Sequence, residues 1–158
     1  MSSNDELVLG AHFKTWMLTR GSGLSGMDGF TFYCVEQFLK PFDVADDEIL
    51  NGNVEGGNDG GLDAVYFFVD SALVDDTTSF VSKGAAPELN LTLFQIKDSH
   101  QGFSPIEIGK LRDFLDDLLD LSRPASDFKA IYNRPLRRFM QTFKDTYRAL
   151  MRDFPKVT

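Results

Sequence analysis

The chain has very little cysteine and no long apolar run. Its single cysteine, Cys34, cannot form an internal disulfide, which excludes the small secreted domains that depend on disulfides and favours a reducing compartment. No stretch of about 18 uninterrupted apolar residues is present, as a membrane-spanning helix would require. The segment Met1-Ser2-Ser3-Asn4-Asp5-Glu6 also lacks the basic and apolar regions of a signal peptide. We therefore expect a cytoplasmic protein without a membrane partner.

Basic side chains are also scarce, and they are unevenly spread. The chain has 16 Lys and Arg against 24 Asp and Glu, a formal net charge of -8. From Arg123 to the end, however, nine basic residues face three acidic ones, so this segment carries +6 and the first 122 residues carry -14. Because nucleic acids are bound largely through Lys and Arg at their phosphates, two interpretations stay open. The basic segment is either a surface for a polyanion or an arginine-rich helix that faces solvent.

Aromatic side chains, in contrast, are abundant. They make up 13% of the 158 residues, and 15 of them are Phe. A chain of this length and composition can bury a hydrophobic core, which excludes a disordered tail. We expect a single domain over residues 1–158.

The hydrophobic pattern predicts four main helices and two strands. Asp28 is placed to cap the second helix, and Ser104-Pro105-Ile106-Glu107 is a capping box with proline at the first helical position. A long connection over residues 71–88 is expected to join the two strands. The helices are predicted over residues 5–19 and 29–40, from the capping box to about residue 121, and over 134–152; the strands are predicted over 62–70 and 89–97.

The two strands and the third helix have informative faces. The first strand is almost continuously apolar, as expected of a strand that is covered on both sides. In the second strand Leu89, Leu91 and Leu93 share one face, and Gln95 and Lys97 continue it. In the third helix four aspartates are predicted to form a solvated stripe opposite the leucines. They are Asp113, Asp116, Asp117 and Asp120.

Two glycine-containing motifs are excluded as ligand sites. Residues 21–26 match the dinucleotide-binding fingerprint literally, but a helix precedes them where the fingerprint needs a strand. Residues 51–56 begin like a calcium-binding loop, but position 12 of that loop would be Leu62, where a bidentate glutamate is required.

The candidate site consists of Asp63 with Gln95, Ile96 and Lys97. Asp63 follows a glycine-rich turn at the start of the first strand, and the other three residues end the second strand. Asp63 could supply a charged metal ligand, Gln95 an amide oxygen and Ile96 its main-chain carbonyl, a set of oxygens that suits Mg²⁺ or Mn²⁺ better than zinc. Lys97 could orient a water molecule that attacks a phosphodiester.

An ordinary structural interpretation of these residues also stays open. Many edge strands end in polar residues, and Asp in a glycine-rich turn is common turn chemistry. Glu36, an isolated acid on an apolar helix, could add a ligand to the cation, or it could form an i, i+4 ion pair with Lys40.

The order of these motifs resembles the PD-(D/E)xK nuclease superfamily, in the Q-x-K variant of Mrr-like restriction endonucleases. The resemblance rests on a helix with Glu36, the turn Asp59-Gly60-Gly61-Leu62-Asp63, a hydrophobic strand and then Phe94-Gln95-Ile96-Lys97. In this resemblance Gln95 replaces the acid of the standard motif, which removes one negative charge from the metal site.

The flanking residues look like the N-terminal region of AIPR proteins, the abortive-infection phage-resistance family. The similarity spans almost the whole chain. It includes Gly102-Phe103-Ser104-Pro105, a leucine-rich helix ending in Asp120-Leu121-Ser122, and Ile131-Tyr132-Asn133 before an arginine-rich helix. Because AIPR proteins are considerably longer, this resemblance implies that the chain is a fragment of a longer protein.

The resemblance implies an α/β (α+β) fold with a restriction-endonuclease-like three-layer core. A central mixed sheet would be flanked by helices, with an added helical part at the C-terminal end. The implied function is a hydrolase, a magnesium-dependent endonuclease that binds and cuts DNA in antiviral (antiphage) defence. Asp63 and Gln95 would bind the metal, Lys97 would be catalytic and Glu36 would be the accessory acid.

Two functional hypotheses follow. In the first, the chain is an active endonuclease domain whose basic helix holds the DNA backbone through Arg134, Arg138, Arg148 and Arg152. In the second, Gln95 marks a catalytically inactive nuclease-fold module that binds nucleic acid or protein within a larger defence protein. The expected partners are DNA and the remainder of an AIPR-like chain, and a homodimer is left open.

Overall fold

Three helices form the first part of the chain. The computed structural model describes residues 3–20, 26–75, 87–97 and 102–153. The three helices are α1 (Ser3–Arg20), α2 (Gly29–Leu39) and α3 (Asp46–Asn51). The Asp28 side chain accepts hydrogen bonds from the main-chain N–H groups of Phe30 at 3.0 Å and Thr31 at 3.1 Å. Asp28 is therefore the N-cap of α2, as the sequence predicts.

Aromatic packing joins α1 to α2. The Tyr33 ring lies 5.4 Å from the rings of both Phe13 and Trp16, measured between centroids. Phe32, Val35 and Leu39 form the buried face of α2, each at most 1% exposed. These three side chains are the apolar face that α2 turns away from solvent.

A small antiparallel sheet follows. It consists of β1 (Ala64–Val69), β2 (Ala72–Leu73) and β3 (Leu89–Phe94), in the order β2-β1-β3. In the β1–β3 pair Ala64 faces Phe94 and Val69 faces Leu89. Every strand pair in the described residues is antiparallel, so the parallel strand that a mixed sheet requires is not among them. Residues 76–86, within the predicted connection, lie outside the described part of the chain.

Two long helices complete the second part. They are α4 (Pro105–Leu119) and α5 (Arg134–Asp153). The predicted capping box is present at the start of α4, where Glu107 N–H donates to Ser104 Oγ and Ser104 N–H donates to the Glu107 carboxylate. Both helices pack against the sheet in one hydrophobic core, which includes Phe67, Phe114, Leu118, Leu136, Met140 and Phe143.

The predicted acidic stripe of α4 is wrong at Asp117, whose side chain is fully buried. Its carboxylate accepts hydrogen bonds from Tyr132 Oη at 2.8 Å and from Lys129 N–H at 2.7 Å, and it pairs with the Arg123 guanidinium. Burial, followed by the hydrogen bond to Asp117, raises the pKa of Tyr132. Asp117 therefore faces the loop between α4 and α5 rather than solvent.

Lys144 of α5 is buried beside the C-terminal end of α4. Its side chain is 4% exposed and donates to the carbonyl oxygens of Asp120 at 2.8 Å and Arg123 at 3.2 Å. Its ammonium also lies 5.0 Å from the centre of the Phe128 ring. Burial, followed by the neighbouring Arg148, lowers the pKa of Lys144. Lys144 thus connects α5 to the main chain that follows α4.

The chain divides into two compact units, Met1–Asn51 and Gly52–Thr158. The expectation of one domain over the whole chain stays a prediction. Gly52, the first residue of the second unit, lies against the ring of Tyr66, and a Cβ atom at this position would lie 2.2 Å from Tyr66 Cε1. No side chain fits at position 52 unless the ring moves.

The helices and the antiparallel sheet place the described chain in the α+β class, as predicted. None of the helices in the described ranges is both long and apolar enough to cross a lipid bilayer.

Candidate functional site

The sheet brings Asp63 beside Gln95, Ile96 and Lys97. Asp63 precedes β1 and Gln95 follows β3, next to the pair of Ala64 and Phe94 that ends the ladder. Asp63 N–H donates to the Phe94 carbonyl at 2.8 Å, and Ile96 N–H donates to Asp63 Oδ2. The Asp63 side chain therefore fastens the start of β1 to the residues after β3.

The glycine-rich turn holds Asp63 close to the start of α4. Asp59 Oδ1 accepts a hydrogen bond from Gly61 N–H at 2.8 Å, and Gly60 and Gly61 have φ angles of 68° and 78°. These angles favour glycine. A Cβ atom on Gly61 would also lie 3.2 Å from the Glu107 carbonyl oxygen. The turn thus needs glycine both for its backbone conformation and for its contact with α4.

Lys97 is paired with Glu107, a contact that the sequence does not predict. The Lys97 ammonium donates to Glu107 Oε1, and their side chains are 36% and 22% exposed. Glu107 Oε2 accepts from Ser104 N–H at 2.7 Å, so the capping box fixes the position of this carboxylate. The capping box was visible in the sequence, but the pairing with a residue ten positions away was not.

The electrostatic surroundings of Asp63 are mixed. Burial raises the pKa of Asp63, and the hydrogen bond from Ile96 N–H opposes that rise. The nearby carboxylates of Glu55 and Asp59 raise it further, whereas the Lys97 ammonium lowers it. A cation bound at Asp63 would reduce the repulsion among these three carboxylates. The local charge therefore favours binding of a cation.

The pKa of Glu107 is shifted in the opposite direction from that of Asp63. The hydrogen bond from Lys97, followed by the hydrogen bonds with Ser104, lowers the pKa of Glu107 to about 2. Glu107 is therefore ionised at neutral pH, and Lys97 has an anionic partner there. A lysine side chain has three N–H donors, so two donors of Lys97 remain for other partners after this contact.

The oxygens of Asp63, Gln95 and Ile96 are of the chemical kind that magnesium binds. Magnesium in proteins is commonly held by one or two carboxylates together with waters and substrate phosphates. Asp63 provides one carboxylate, and the half-buried Gln95 makes no side-chain hydrogen bond to any described residue, so its amide oxygen is available. No group of three or more His, Cys, Asp or Glu that could hold a metal ion occurs in the described residues. Any cation here would therefore depend on few protein ligands.

Glu36 belongs to the first unit, where its carboxylate is already bonded. It accepts from Trp16 Nε1 at 2.7 Å and Gln37 Nε2 at 3.0 Å, and it pairs with Arg20 at 2.9 Å. Lys40, the alternative ion-pair partner, donates to Gln37 instead. The role of Glu36 as an accessory acid stays a prediction, and its contacts indicate a structural role within α1 and α2.

The four predicted DNA-binding arginines lie along one side of α5. At about 100° per residue, Arg134, Arg138, Arg148 and Arg152 fall within about 80° of one another, opposite the buried face. All four are exposed. Acidic neighbours reduce the positive charge of this side, because Arg148 pairs with Asp145 at 3.1 Å and Arg152 with Asp153 at 2.9 Å.

Comparison with known proteins adds no relative to this description. No family model matches the chain, and no curated protein and no solved structure matches it either. The resemblance to AIPR proteins and to the PD-(D/E)xK superfamily therefore stays a prediction.

Proposed function

We propose that this chain is a magnesium-dependent endonuclease domain with a restriction-endonuclease-like fold, acting on DNA. The observation that carries the proposal is the junction of Asp63 with the residues after β3, where Ile96 N–H donates to the Asp63 carboxylate. This junction gathers an acid, an amide and an ammonium-bearing lysine in one short stretch of the sheet edge. On the resemblance to AIPR proteins, the domain would serve antiphage defence in the cytoplasm as part of a longer chain.

The metal would be held by Asp63, the Gln95 amide and the Ile96 carbonyl. Bound magnesium or manganese would supply Lewis-acid polarisation of the phosphoryl oxygen and a more acidic water. The protein's own contribution starts with Asp63, whose carboxylate is fixed in orientation because Ile96 N–H occupies one of its oxygens. Gln95 contributes no charge, which leaves the site with low affinity for the cation.

Lys97 would hold the attacking water and offset charge that develops on the phosphate. Glu107 fixes the ammonium at the start of α4, and two N–H donors remain for the water and a phosphate oxygen. In this arrangement Glu107 is a positioning residue because it acts through Lys97. The arginines along α5 would bind the DNA backbone by charge, independently of sequence.

The proposal is tested by a cleavage assay on DNA with and without magnesium. We expect cleavage by the wild-type chain, and a loss of at least about 100-fold for Asp63→Asn and Lys97→Ala, since each removes a group that acts in the transition state. Asp47→Asn and Lys14→Ala, at exposed positions of the first unit, are matched controls and should retain activity. Equal rates for all five proteins would remove the proposed site. An RNA substrate run in parallel would correct the substrate class if it alone is cut.

A catalytically inactive binding module is the second candidate. The observation that favours it is the ion pair of Lys97 with Glu107, together with an uncharged Gln95 where the standard motif has an acid. A nuclease fold that has lost its catalytic activity would have the same two features. Its lysine would be paired with a carboxylate, and its metal site would have a single acid. Nucleic-acid or protein binding within a larger defence protein would then be the function.

Metal binding distinguishes the two candidates. A ligand that binds only the folded state must stabilise it, so the active-site hypothesis predicts a rise in Tm with millimolar magnesium or manganese that Asp63→Asn abolishes. Burial raises the pKa of Asp63, so its carboxylate is protonated at a higher pH than that of an ordinary aspartate. On acidification the increase in Tm with metal should therefore be lost at a correspondingly higher pH. A Tm that is unchanged by either metal in the wild type would favour the binding module.

A further inference from the structure

The main chain of Asp63 is held by two separate segments. Residues 52–54 run antiparallel to the start of β1, and Val54 N–H donates to the Asp63 carbonyl at 3.0 Å. From the other segment, the Phe94 carbonyl of β3 accepts from Asp63 N–H at 2.8 Å. The position of Asp63 therefore depends on the position of Val54 as well as on β3.

The turn between Val54 and Asp63 is intrinsically loose. Four of the six residues over 56–61 are glycine. Glycine loses more conformational freedom on folding than any other residue, so ordering such a segment costs much entropy. Contacts from outside the turn therefore decide how firmly Asp63 is held.

Asn133 supplies two of these contacts. Its side-chain Nδ2 donates to the Val54 carbonyl at 2.8 Å, and its main-chain N–H donates to the Asn58 carbonyl at 2.8 Å. Val54 is 2% exposed, and a buried acceptor that loses its donor costs free energy unless the chain shifts to find another. The Nδ2 hydrogen bond thus connects Val54, and with it Asp63, to a residue 79 positions further along the chain.

The same residue begins α5. Asn133 Oδ1 accepts from Leu136 N–H at 3.0 Å, and the Asn133 carbonyl accepts from Arg137 N–H at 3.0 Å. Asn133 is therefore the N-cap of α5. Leu136 also lies against the glycine-rich turn, since a Cβ atom on Gly60 would be 3.1 Å from its Cδ2. The start of the arginine-bearing helix and the turn before Asp63 meet at Asn133.

Helix capping alone does not explain an amide at this position. Asn, Asp and Ser cap helices about equally well, and capping uses only the acceptor oxygen. An ionised aspartate has no donor, and the serine hydroxyl lies closer to the main chain. Asn133 presents an acceptor to Leu136 and a donor to Val54 at the same time. The donor is the group whose role extends beyond α5.

We propose that Asn133 is the positioning residue of the Asp63 site. Its amide N–H holds Val54, and Val54 N–H holds the Asp63 main chain, so that the carboxylate meets Ile96 N–H in one orientation. Through the cap, Asn133 also sets where α5 and its arginines begin relative to this carboxylate. The effect of Asn133 on cleavage rests on the proposed nuclease function, whereas its effect on Asp63 does not.

The first test uses two variants that share only the loss of the donor. Asn133→Asp keeps the acceptor that caps α5, whereas Asn133→Ala removes the acceptor as well. We expect the amide protons of Val54 and Ile96 to exchange about tenfold faster in both variants. The Leu136 amide is the internal control, because it should lose protection only in Asn133→Ala. Unchanged exchange at Val54 and Ile96 in both variants would overturn the proposal.

Asp28→Ala controls for a general loss of stability. It removes the N-cap of α2 in the first unit, so we expect it to destabilise the protein as other losses of a cap do. Exchange at Val54 and Ile96 should nevertheless stay as in the wild type. If Asp28→Ala accelerated exchange at these two amides as much as the Asn133 variants do, the effect would be general and the proposal would be wrong.

Cleavage kinetics separate this inference from the proposed function. At saturating magnesium we expect both Asn133 variants to lower kcat for DNA by about tenfold, because a carboxylate that is no longer fixed spends less time in the reactive geometry. KM should stay within about twofold in Asn133→Ala, because the arginines of α5 are kept. A wild type that cuts DNA with the same kcat as both variants would overturn the positioning role. A wild type without cleavage would remove the proposed function, and the exchange at Val54 and Ile96 would then decide the role of Asn133.

Discussion

The two ends of α4 hold charged side chains in opposite ways. At its start Glu107 pairs with Lys97, and both side chains are partly open to solvent. Near its end Asp117 is fully buried with Tyr132, and Lys144 lies beside it, 4% exposed. An exposed pair contributes little to stability and can exchange partners, whereas a buried carboxylate depends on every hydrogen bond it receives. We infer that the second end of α4 contributes more to the stability of the fold than the first.

The largest expected effect is that of Asp117→Ala. The substitution leaves the Tyr132 hydroxyl and the Lys129 N–H without their buried acceptor, and it should lower the free energy of unfolding by about 3–5 kcal/mol. Urea denaturation followed by circular dichroism measures this. Asp113→Ala on the same helix is the matched control and should change stability by about 0.5 kcal/mol or less. Similar losses in the two variants would show that burial of Asp117 contributes nothing special.

Lys144→Met should have a smaller effect. It removes two hydrogen bonds to carbonyls near the end of α4, which we expect to lower the free energy of unfolding by about 1–3 kcal/mol, but it also removes a buried charge. Lys14→Met, at an exposed position, is the control.

The pH dependence of Lys144→Met sharpens this prediction. Because the pKa of Lys144 is lowered in the folded state, the unfolded chain binds more protons between that pKa and 10.5. The contribution of Lys144 to stability therefore rises with pH in this window. Denaturation at neutral and alkaline pH should show the wild type gaining stability relative to the variant. A difference that is constant with pH would contradict the lowered pKa.

Glu107→Gln should have the smallest effect on stability at neutral pH. Glutamine can serve in the capping box, so the start of α4 keeps its cap. The small loss that remains, that of the partly exposed pair with Lys97, should depend on pH. The pKa of Glu107 is lowered from 4.5 to about 2, so its contribution to stability is present above 4.5 and is lost as pH falls to about 2. The wild type should therefore lose its advantage over the variant as pH falls through this window, so that the two stability curves converge, and parallel curves would show that the pair with Lys97 is absent in solution.

The sequence predicts the local features of this fold well. Asp28 and the capping box at Ser104 were found because a cap and its partners lie within three residues of each other. The first strand was found because β1 is buried on both faces and therefore reads as a continuous apolar run. The hydrogen bond from Ile96 N–H to the Asp63 carboxylate lies where the two predicted strands were expected to meet.

Contacts between distant residues could not be predicted in the same way. The sequence pattern predicts Asp117 in a solvated stripe with three other aspartates, whereas its partner Tyr132 lies 15 residues further on. The sequence pattern predicts only the capping box for Glu107, although its Oε1 accepts a hydrogen bond from Lys97. In both cases one carboxylate accepts hydrogen bonds from two separate parts of the chain. Only the packing of the folded chain brings those parts together.

The glycine at position 52 bears on how this protein could be cut or recombined. A junction between structural units is normally the place where chains tolerate insertion, because few contacts cross it. Here the first residue of the second unit lies flat against an aromatic ring, and even an alanine methyl would overlap it. Grafting the second unit onto a foreign partner should therefore keep this glycine and the residues that follow it, with the fusion point placed upstream.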